Sequence, residues 1–456
     1  MVAGCGFVPP LGAKRMRMDV AGVKSRAPDH WSALPQIEAT AATGWLEDFR
    51  SPLLRRLVDR TIEANPSLKA AAARVTQARA ETVAAGAALY PEISGSFAAS
   101  RQQAPAGQRF SGLNLINNRF RLPLNVSWEF DLWGRVADQR AAAKARRYAA
   151  EEDYHGARLS LAAATVRTAV TLAEAQSQLY LAERDVRTRK VQLGILEKQM
   201  ERGLQPDRAA LDVSLGRADL ARAEATVQQR KAAADQSRRT LEVLMGGYPS
   251  GTEQGLGGLP ALQRKIPAGL PSELLLRRPD LRAAERRLES SLRLESAAKK
   301  AFLPSFRLTG EYGRTSQETD DLLVPEAAMW SIAGNVAQSF FQGGRIMANV
   351  RLARARYDEQ LHTYTDTMLT AFREVETALA ADAFLQEQAQ ALEKAAQEAE
   401  QAESLALGQY EKGLTDVLTL LDTRQRAFDA RSTLIAVQAQ RLRNRADLHL
   451  ALGGNF

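Results

Sequence analysis

The sequence predicts a mixed α and β fold, mainly helical, in which one architectural unit occurs twice. Three observations lead to this expectation. The chain repeats itself with a period of about 210 residues, it contains short segments of alternating apolar and polar residues, and each half holds long proline-free stretches with apolar residues at helical spacing. Of its 456 residues, 45 % are hydrophobic and 25 % are charged, which is the balance of a folded protein.

The internal repeat is visible as matched motifs at a nearly constant offset. The motif NPSL at residues 65–68 reappears as RPDL at 278–281, and GR at 134–135 reappears at 344–345. A period this long exceeds that of solenoid repeats, so it indicates two similar halves. They are joined by a linker rich in Gly and Pro at residues 249–270.

The repeat sets the expected domain boundaries. We predict a first repeat at residues 44–248 and a second at 271–456, on either side of the linker. Residues 1–43 contain Pro, Gly and scattered charges without a clear period, so we expect an extended arm there.

Each half is predicted to contain two β-strands. They lie at about 92–101 and 120–132 in the first repeat, and at about 305–314 and 330–341 in the second, where side chains alternate with a period of two. Each strand has about ten residues, the length that a tilted strand needs to cross a bilayer. In the clearest segment, the residues predicted to face lipid are Phe120, Leu122, Leu124, Val126, Trp128 and Phe130.

Four strands are too few to close a membrane barrel, which needs about eight strands with every edge paired. Membrane insertion would therefore require several chains to share one barrel. The alternative is a soluble sandwich whose apolar face lies in a core, although four strands separated by long helices suit a sandwich poorly.

Long helical hairpins are predicted after each strand pair, at about 135–246 and 345–450. A helix of roughly 65 residues is about 100 Å long, so it must pack side by side with similar helices, as in a coiled coil. Glycines that break the pattern mark the turns, and Thr415 is the expected N-cap of the last helix. The predicted hairpin tips are Gly203 with Leu204 and Gly413 with Leu414.

Composition argues against several function classes. The net charge of +8 suggests nucleic acid or an acidic membrane surface, but the basic residues alternate with acidic ones, as at 183–190, which favours a solvated helix face. We expect no nucleic-acid partner. The four histidines have no metal-ligand spacing, and the sequence has neither a P-loop nor a GxSxG motif. The sequence therefore predicts no metal, no cofactor and no enzymatic activity, and no apolar run reaches the length of a transmembrane helix.

The single cysteine lies near the start of the chain. Val2-Ala3-Gly4-Cys5 matches the pattern at which a bacterial signal peptidase cuts before a cysteine that is then acylated. We therefore predict Cys5 as a lipidation site, which makes residues 1–43 a lipid-anchored arm. A chance cysteine at the terminus is the alternative.

Several longer motifs carry a family resemblance. They are GWLEDFRSPLLRRLVDRTIEANPSL from Gly44, WEFDLWGR from Trp128, IPAGLPSELLLRRPDLRAAE from Ile266 and GLTDVLTLLDTR from Gly413. With the cysteine motif, the sequence resembles the TolC-like outer-membrane efflux proteins, in particular the lipoprotein branch typified by OprM and NodT.

This resemblance implies an architecture and a set of partners. It implies a homotrimer in the outer membrane, with four strands per subunit in one twelve-stranded barrel that continues into a periplasmic α-helical barrel. The linker would lie in a belt around its middle. The duct would be passive, with outer-membrane lipid around it. An inner-membrane pump of the resistance–nodulation–division type would drive export through a periplasmic adaptor that contacts the hairpin tips.

The resemblance also places a periplasmic gate at the tip of the second hairpin. Asp422 matches a gate aspartate of the family motif, and Asp416 and Asp212 are secondary candidates. An ordinary solvated helix charge is the alternative for Asp422. For the whole protein, the alternatives are a duct for type I protein secretion and a soluble coiled-coil scaffold.

Overall fold

The computed structural model describes most of the chain. The described ranges are residues 11–25, 27–33, 44–103, 116–202, 206–262 and 271–454. Within these ranges, no helix combines the length and the apolar composition needed to cross a membrane.

Nine helices of the described ranges dominate the structure. In chain order they are α1 (Leu11–Lys24), α2 (Pro52–Ala64), α3 (Pro66–Ala87), α4 (Arg135–Glu201), α5 (Pro206–Leu244), α6 (Pro271–Arg277), α7 (Pro279–Lys300), α8 (Arg345–Glu411) and α9 (Val417–Ala451). The helices α3 and α7 have 22 residues each, and α4 and α8 have 67 residues each. These equal lengths in the two halves match the tandem duplication.

The chain divides into two compact units, each built from three separate stretches. The first unit comprises Met1–Ser25, Arg74–Glu151 and Ala283–Thr365, and the second comprises Arg26–Ala73, Glu152–Arg282 and Asp366–Phe456. The first unit contains the β-sheet with the helix segments that flank it. The second contains the helix–turn–helix hairpin ends and the described part of the linker.

The strands of the first unit form one antiparallel sheet. They are β1 (Glu92–Gly95), β2 (Ala98–Gln103), β3 (Ile116–Phe130), β4 (Ser305–Ser316) and β5 (Ala328–Ala337). The hydrogen-bonded order is β1–β3–β4–β5, and β2 also pairs with β3.

Several strand bounds differ from the sequence prediction by a few residues, and two of the differences involve proline. The predicted strand at 92–101 is divided into β1 and β2, yet the register is continuous, since Gly95 pairs with Leu124 and Ala98 with Arg121. The gap lies opposite Pro123, which has no N–H for the ladder. The last strand was predicted to reach residue 341 but ends at Ala337, because the next partner along β4 is a proline, Pro304.

The N-terminal region also differs from the prediction. Residues 11–24 form a helix, so the expectation of an extended arm is wrong for this segment. Arg15 donates hydrogen bonds to Glu295 at 3.3 Å and Asp358 at 3.0 Å, and Tyr357 donates one to Asp19 at 2.7 Å. These contacts with α7 and α8 stabilise α1, and they join residues too far apart in sequence for a local pattern to reveal. Cys5 lies outside the described residues.

The core of the second unit gathers around a short 3-10 turn at Trp45–Phe49. The Trp45 and Phe49 side chains are fully buried against α2, α4, α5 and α9. His449 stacks on Trp45 at 5.2 Å between ring centroids, and its Nε2 lies 2.8 Å from an Asp48 carboxylate oxygen. Burial lowers the pKa of His449. This packing accounts for the WLEDF motif near the start of the first repeat.

The linker is attached to the second unit by one carboxylate. Glu242 at the end of α5 accepts hydrogen bonds from the backbone N–H groups of Gly251, Thr252 and Glu253. These donors lower the pKa of Glu242 to about 2, since they stabilise the charged form. Leu256, Leu259 and Leu262 of the linker then pack on the core.

Candidate functional site

The β-sheet has one continuous apolar face. Leu124 pairs with Tyr312, which pairs in turn with Trp330, and Phe130 pairs with Phe306. Directly opposed residues of an antiparallel pair lie on the same face, so these side chains form rows across the sheet. Most of the surface is uncovered, with Tyr312 64 % exposed and Trp330 74 % exposed.

The six residues predicted to face lipid occupy alternate positions of β3 on this face. Leu122, Leu124 and Phe130 are exposed, whereas the other three are half-buried. Trp128 is shielded because its Nε1 donates a hydrogen bond to the Leu89 carbonyl at 3.0 Å and its ring lies edge-on to Phe130 at 5.5 Å. An apolar patch of this extent on one protein chain indicates a surface that another apolar phase covers.

The opposite face of the sheet is polar and carries two ion pairs. Arg121 donates to Glu311 at 2.6 Å, and Glu129 accepts from Arg135 at 2.6 Å. A sheet with a paired polar face and an exposed apolar face has the polarity of a membrane barrel wall. A soluble sandwich would instead bury its apolar face in a core.

The second candidate region is the tip of the hairpin formed by α8 and α9. Gly413 ends α8 in the left-handed conformation, with φ 72°. The Leu414 N–H donates to the Gln409 carbonyl and the Gly413 N–H to the Tyr410 carbonyl, both at 2.9 Å, which is a Schellman motif. This confirms the predicted turn at Gly413, and the Leu414 side chain is exposed. Gly203 and Leu204 of the other tip lie outside the described residues.

The three predicted gate aspartates have different surroundings. Asp416 is the N-cap of α9 and accepts from the Thr419 N–H at 2.8 Å, so the N-cap lies one residue after the expected Thr415. Asp422 is 59 % exposed and forms an ion pair with Arg426 at 2.8 Å.

The third aspartate, Asp212, lies near Tyr410. Burial, and next the charge of Asp212, raise the pKa of Tyr410. Asp416 thus lies immediately before α9, Asp422 lies within α9, and Asp212 lies on α5.

A small apolar cluster joins the four long helices next to the tips. Leu196, Val213 and Val417 are buried together, and Tyr410 and Leu421 pack against them. The two hairpins of the second unit are thus held to each other close to the turn.

The same helices contain a buried ionic network that was not predicted from the sequence. Arg189 of α4 is 5 % exposed and pairs with Asp185 at 2.7 Å and with Asp219 of α5. Arg424 of α9 is 3 % exposed and pairs with Glu403 of α8 at 2.9 Å. Their hydrogen-bonding partners across the hairpins include Gln425, which accepts from Arg189 at 3.4 Å, and Gln192, which accepts from Arg424.

This network corrects the interpretation of residues 183–190 as a solvated face. That interpretation is wrong at Asp185 and Arg189. Asp185 lies three residues after the buried Ala182, and Arg189 lies four residues after Asp185, so both lie on the buried stripe of α4. Burial is the main cause of the raised pKa of Asp185, and Arg189 opposes it. The spacing of these residues along the helix predicted burial, but their charge favoured the prediction of an exposed face.

Comparison with known proteins identifies the family. The sequence model described as "Outer membrane efflux protein" matches residues 57–247 and 270–454, once in each repeat. The chain is 29 % identical over its whole length to the antibiotic efflux pump outer membrane protein ArpC of Pseudomonas putida, covering 94 % of that protein. It is 28 % identical, with the same coverage, to the toluene efflux pump outer membrane protein TtgC of Pseudomonas putida.

A solved structure agrees with this result. The outer-membrane channel OprN superposes with a TM-score of 0.87 at 28 % identity, and the match covers 94 % of this chain and 97 % of that one. Two tandem matches to one family model, which together span most of the sequence, show that this chain belongs to the outer membrane efflux protein family.

Proposed function

We propose that this protein is the exit duct of a tripartite efflux system, through which small organic molecules cross the outer membrane. The observation that carries this proposal is the uncovered apolar face of a sheet whose opposite face is polar and paired. Such a sheet suits a wall between lipid and an aqueous channel. The printed functions of ArpC and TtgC, antibiotic and toluene efflux, support the substrate class.

The duct is proposed to be a homotrimer. The sheet ends at β5 on one side and at β1 with β2 on the other, so both edges offer unpaired backbone groups. In lipid these groups must be satisfied, which copies of the chain achieve by pairing edge to edge. Three copies would supply a barrel of about twelve strands, within the known range of membrane barrels.

The chain is proposed to act passively, with an adaptor and a pump as partners. Long helices that end in a tight exposed turn at Gly413 and Leu414 provide a docking surface for a periplasmic adaptor, together with Gly203 and Leu204 of the other tip. An inner-membrane pump of the resistance–nodulation–division type would supply the energy. Acylation of Cys5 would add a lipid anchor.

The gate is proposed to lie near the second tip. Two observations support Asp422 as a gate residue. Its side chain is exposed, and it lies in the second turn of α9, where three copies could form a ring of carboxylates. Such a ring would attract cations and repel anions. Asp416 caps the same helix, so its charge is already committed to a backbone donor. Asp212 is the remaining candidate.

The proposed function can be tested by expressing the protein with a signal peptide in an efflux-deficient Gram-negative strain that carries a matching pump and adaptor. We expect recovery from the outer membrane, a trimer mass in mild detergent, and restored resistance to antibiotics or toluene. A soluble monomer would contradict the proposal and favour a coiled-coil scaffold. An outer-membrane trimer that supports secretion of a protein and not drug resistance would favour type I secretion.

A further inference from the structure

The first unit contains a cleft whose lining residues belong neither to the apolar face of the sheet nor to the hairpin tip. It has a volume of about 380 Å³ and lies among α4, α7 and α8. The residues that matter for its chemistry are Arg146, Arg287, Ser290, Leu294, Ala353 and Arg356.

Three arginines give this cleft a positive charge. Glu359 is the one acidic residue in its wall, so the wall carries an excess of positive charge. In the part of the chain that the structure describes, neither Arg146 nor Arg356 has an ion-pair partner, although both are exposed on helices rich in acidic residues. Two guanidinium groups are therefore available to an anion.

The internal repeat relates two of these arginines. Arg146 lies eleven residues after the first residue of α4, and Arg356 lies eleven residues after the first residue of α8. Since α4 and α8 are equivalent helices of the two repeats, both arginines occupy the same position along their helices. The duplication has thus placed two arginines on one cleft, with Arg287 of α7 as the third.

A buried hydroxyl provides an independent indication of a ligand. Ser290 is 3 % exposed, and its Oγ has no hydrogen-bond partner among the described residues. The neighbouring Ser291 differs, because its hydroxyl donates to the Leu288 carbonyl at 2.8 Å. A buried hydroxyl without an acceptor is unfavourable, and an oxyanion in the cleft would supply one.

The remaining wall is apolar, and this restricts the kind of anion. Leu294 and Ala353 are half-buried and offer a hydrophobic surface beside the arginines. Guanidinium groups bind carboxylates and phosphates through paired hydrogen bonds, and the volume is that of a small-ligand site. We propose that this cleft binds a small amphipathic oxyanion, a phosphate or carboxylate group on a short apolar chain.

The test is binding of hexyl phosphate to the purified full-length protein in mild detergent, measured by calorimetry, with hexanol as the uncharged match. We expect hexyl phosphate to bind and hexanol to bind far more weakly. Arg146→Gln and Arg356→Gln should each weaken hexyl phosphate binding roughly tenfold or more, because each removes a charge-assisted contact. Ser290→Ala should weaken it by a smaller factor.

The matched control is Arg354→Gln, which removes an exposed arginine of the same helix outside the cleft. Its affinity for hexyl phosphate should stay within about twofold of the parent protein, since it makes no contact there. Equal binding of hexyl phosphate and hexanol, or equal affinities in all four variants, would overturn the proposal. Unchanged oligomer mass and helical content in the variants exclude misfolding as the cause of a loss.

The biological source of the anion is resolved by mass spectrometry of the protein isolated from membranes. Phospholipid that is retained by the parent protein and lost from Arg146→Gln identifies a lipid headgroup. A parent protein that carries no lipid and still binds hexyl phosphate or hexanoate identifies a soluble organic anion. Both results support the cleft as an oxyanion site. Because the readout is binding, failure here would leave the export function unaffected.

Discussion

The sheet of the first unit and the long helices of the second distribute polarity in opposite ways. The sheet exposes large apolar side chains such as Trp330 on one face and carries the Arg121–Glu311 ion pair on the other. The helices bury two arginines, Arg189 and Arg424, and each forms an ion pair with a carboxylate of a neighbouring helix. The apolar face of the sheet is therefore left uncovered within the chain, whereas the buried charges of the helices are paired with one another.

The two kinds of contact constrain packing differently. Apolar burial is non-directional and tolerates small displacements, whereas a buried ion pair is favourable in only one geometry. The network between α4, α5, α8 and α9 thus favours a single register of the two hairpins. We expect the largest effects of substitution there.

The first prediction concerns a buried arginine. Arg189→Ala should destabilise the protein by about 3–5 kcal/mol, because it leaves the carboxylates of Asp185 and Asp219 buried without a counter-charge. Denaturant unfolding measures the loss, and hydrogen exchange should show it in α4 and α5. The control is Arg217→Ala. Arg217 is 64 % exposed in its ion pair with Glu197, so this substitution should lower the stability by less than about 1 kcal/mol. Similar losses in both variants would contradict the comparison.

The second prediction concerns the apolar face of the sheet. Leu124→Arg places a charge near the middle of β3, which should cost about 2–4 kcal/mol in lipid and reduce assembly in the outer membrane. The control is Asn125→Arg, which adds the same charge on the polar face opposite Glu311. Membrane fractionation and trimer mass measure the result. Normal assembly of Leu124→Arg would show that this face does not meet lipid.

The third prediction concerns the cap at the second tip. Asp416→Ala should cost about 1 kcal/mol, because the Thr419 N–H loses its acceptor at the start of α9. Asp416→Asn should retain most of the stability, since asparagine also caps a helix. If Asp416 acts in the gate as well, Asp416→Asn would change channel conductance with little change in the unfolding midpoint.

The sequence predicted well those features that depend on local geometry. Gly413 was recognisable because a helix end requires the left-handed conformation, and the alternation in β3 revealed its two faces. The helix α1 was not recognisable, because its stability comes from Glu295 and Tyr357, which are remote in sequence.

The burial of charged side chains was the second feature that could not be predicted from the sequence. The helical spacing of Arg189 predicts a core position, whereas its charge predicts an exposed one. Its burial is explained by the ion pair with Asp219, which is distant in sequence. The arginines of the cleft were equally hard to recognise, since the cleft is formed by three helices from both halves of the sequence.

The last prediction concerns Asp422, whose substitution should change ion selectivity with little effect on the stability of the protein. Its ion pair with Arg426 is exposed and spans one helical turn, so Asp422→Asn should cost at most about 0.5 kcal/mol. A gate carboxylate would nevertheless change ion flow, because the proposed trimer would bring three such charges to one constriction. Single-channel recording in planar bilayers should therefore show altered cation selectivity with an unchanged unfolding midpoint. Arg426→Gln is the control that breaks the same ion pair and keeps the carboxylate. If Asp422→Asn and Arg426→Gln both leave selectivity unchanged, Asp422 is an ordinary solvated charge, and the search for the gate moves to Asp212 on α5.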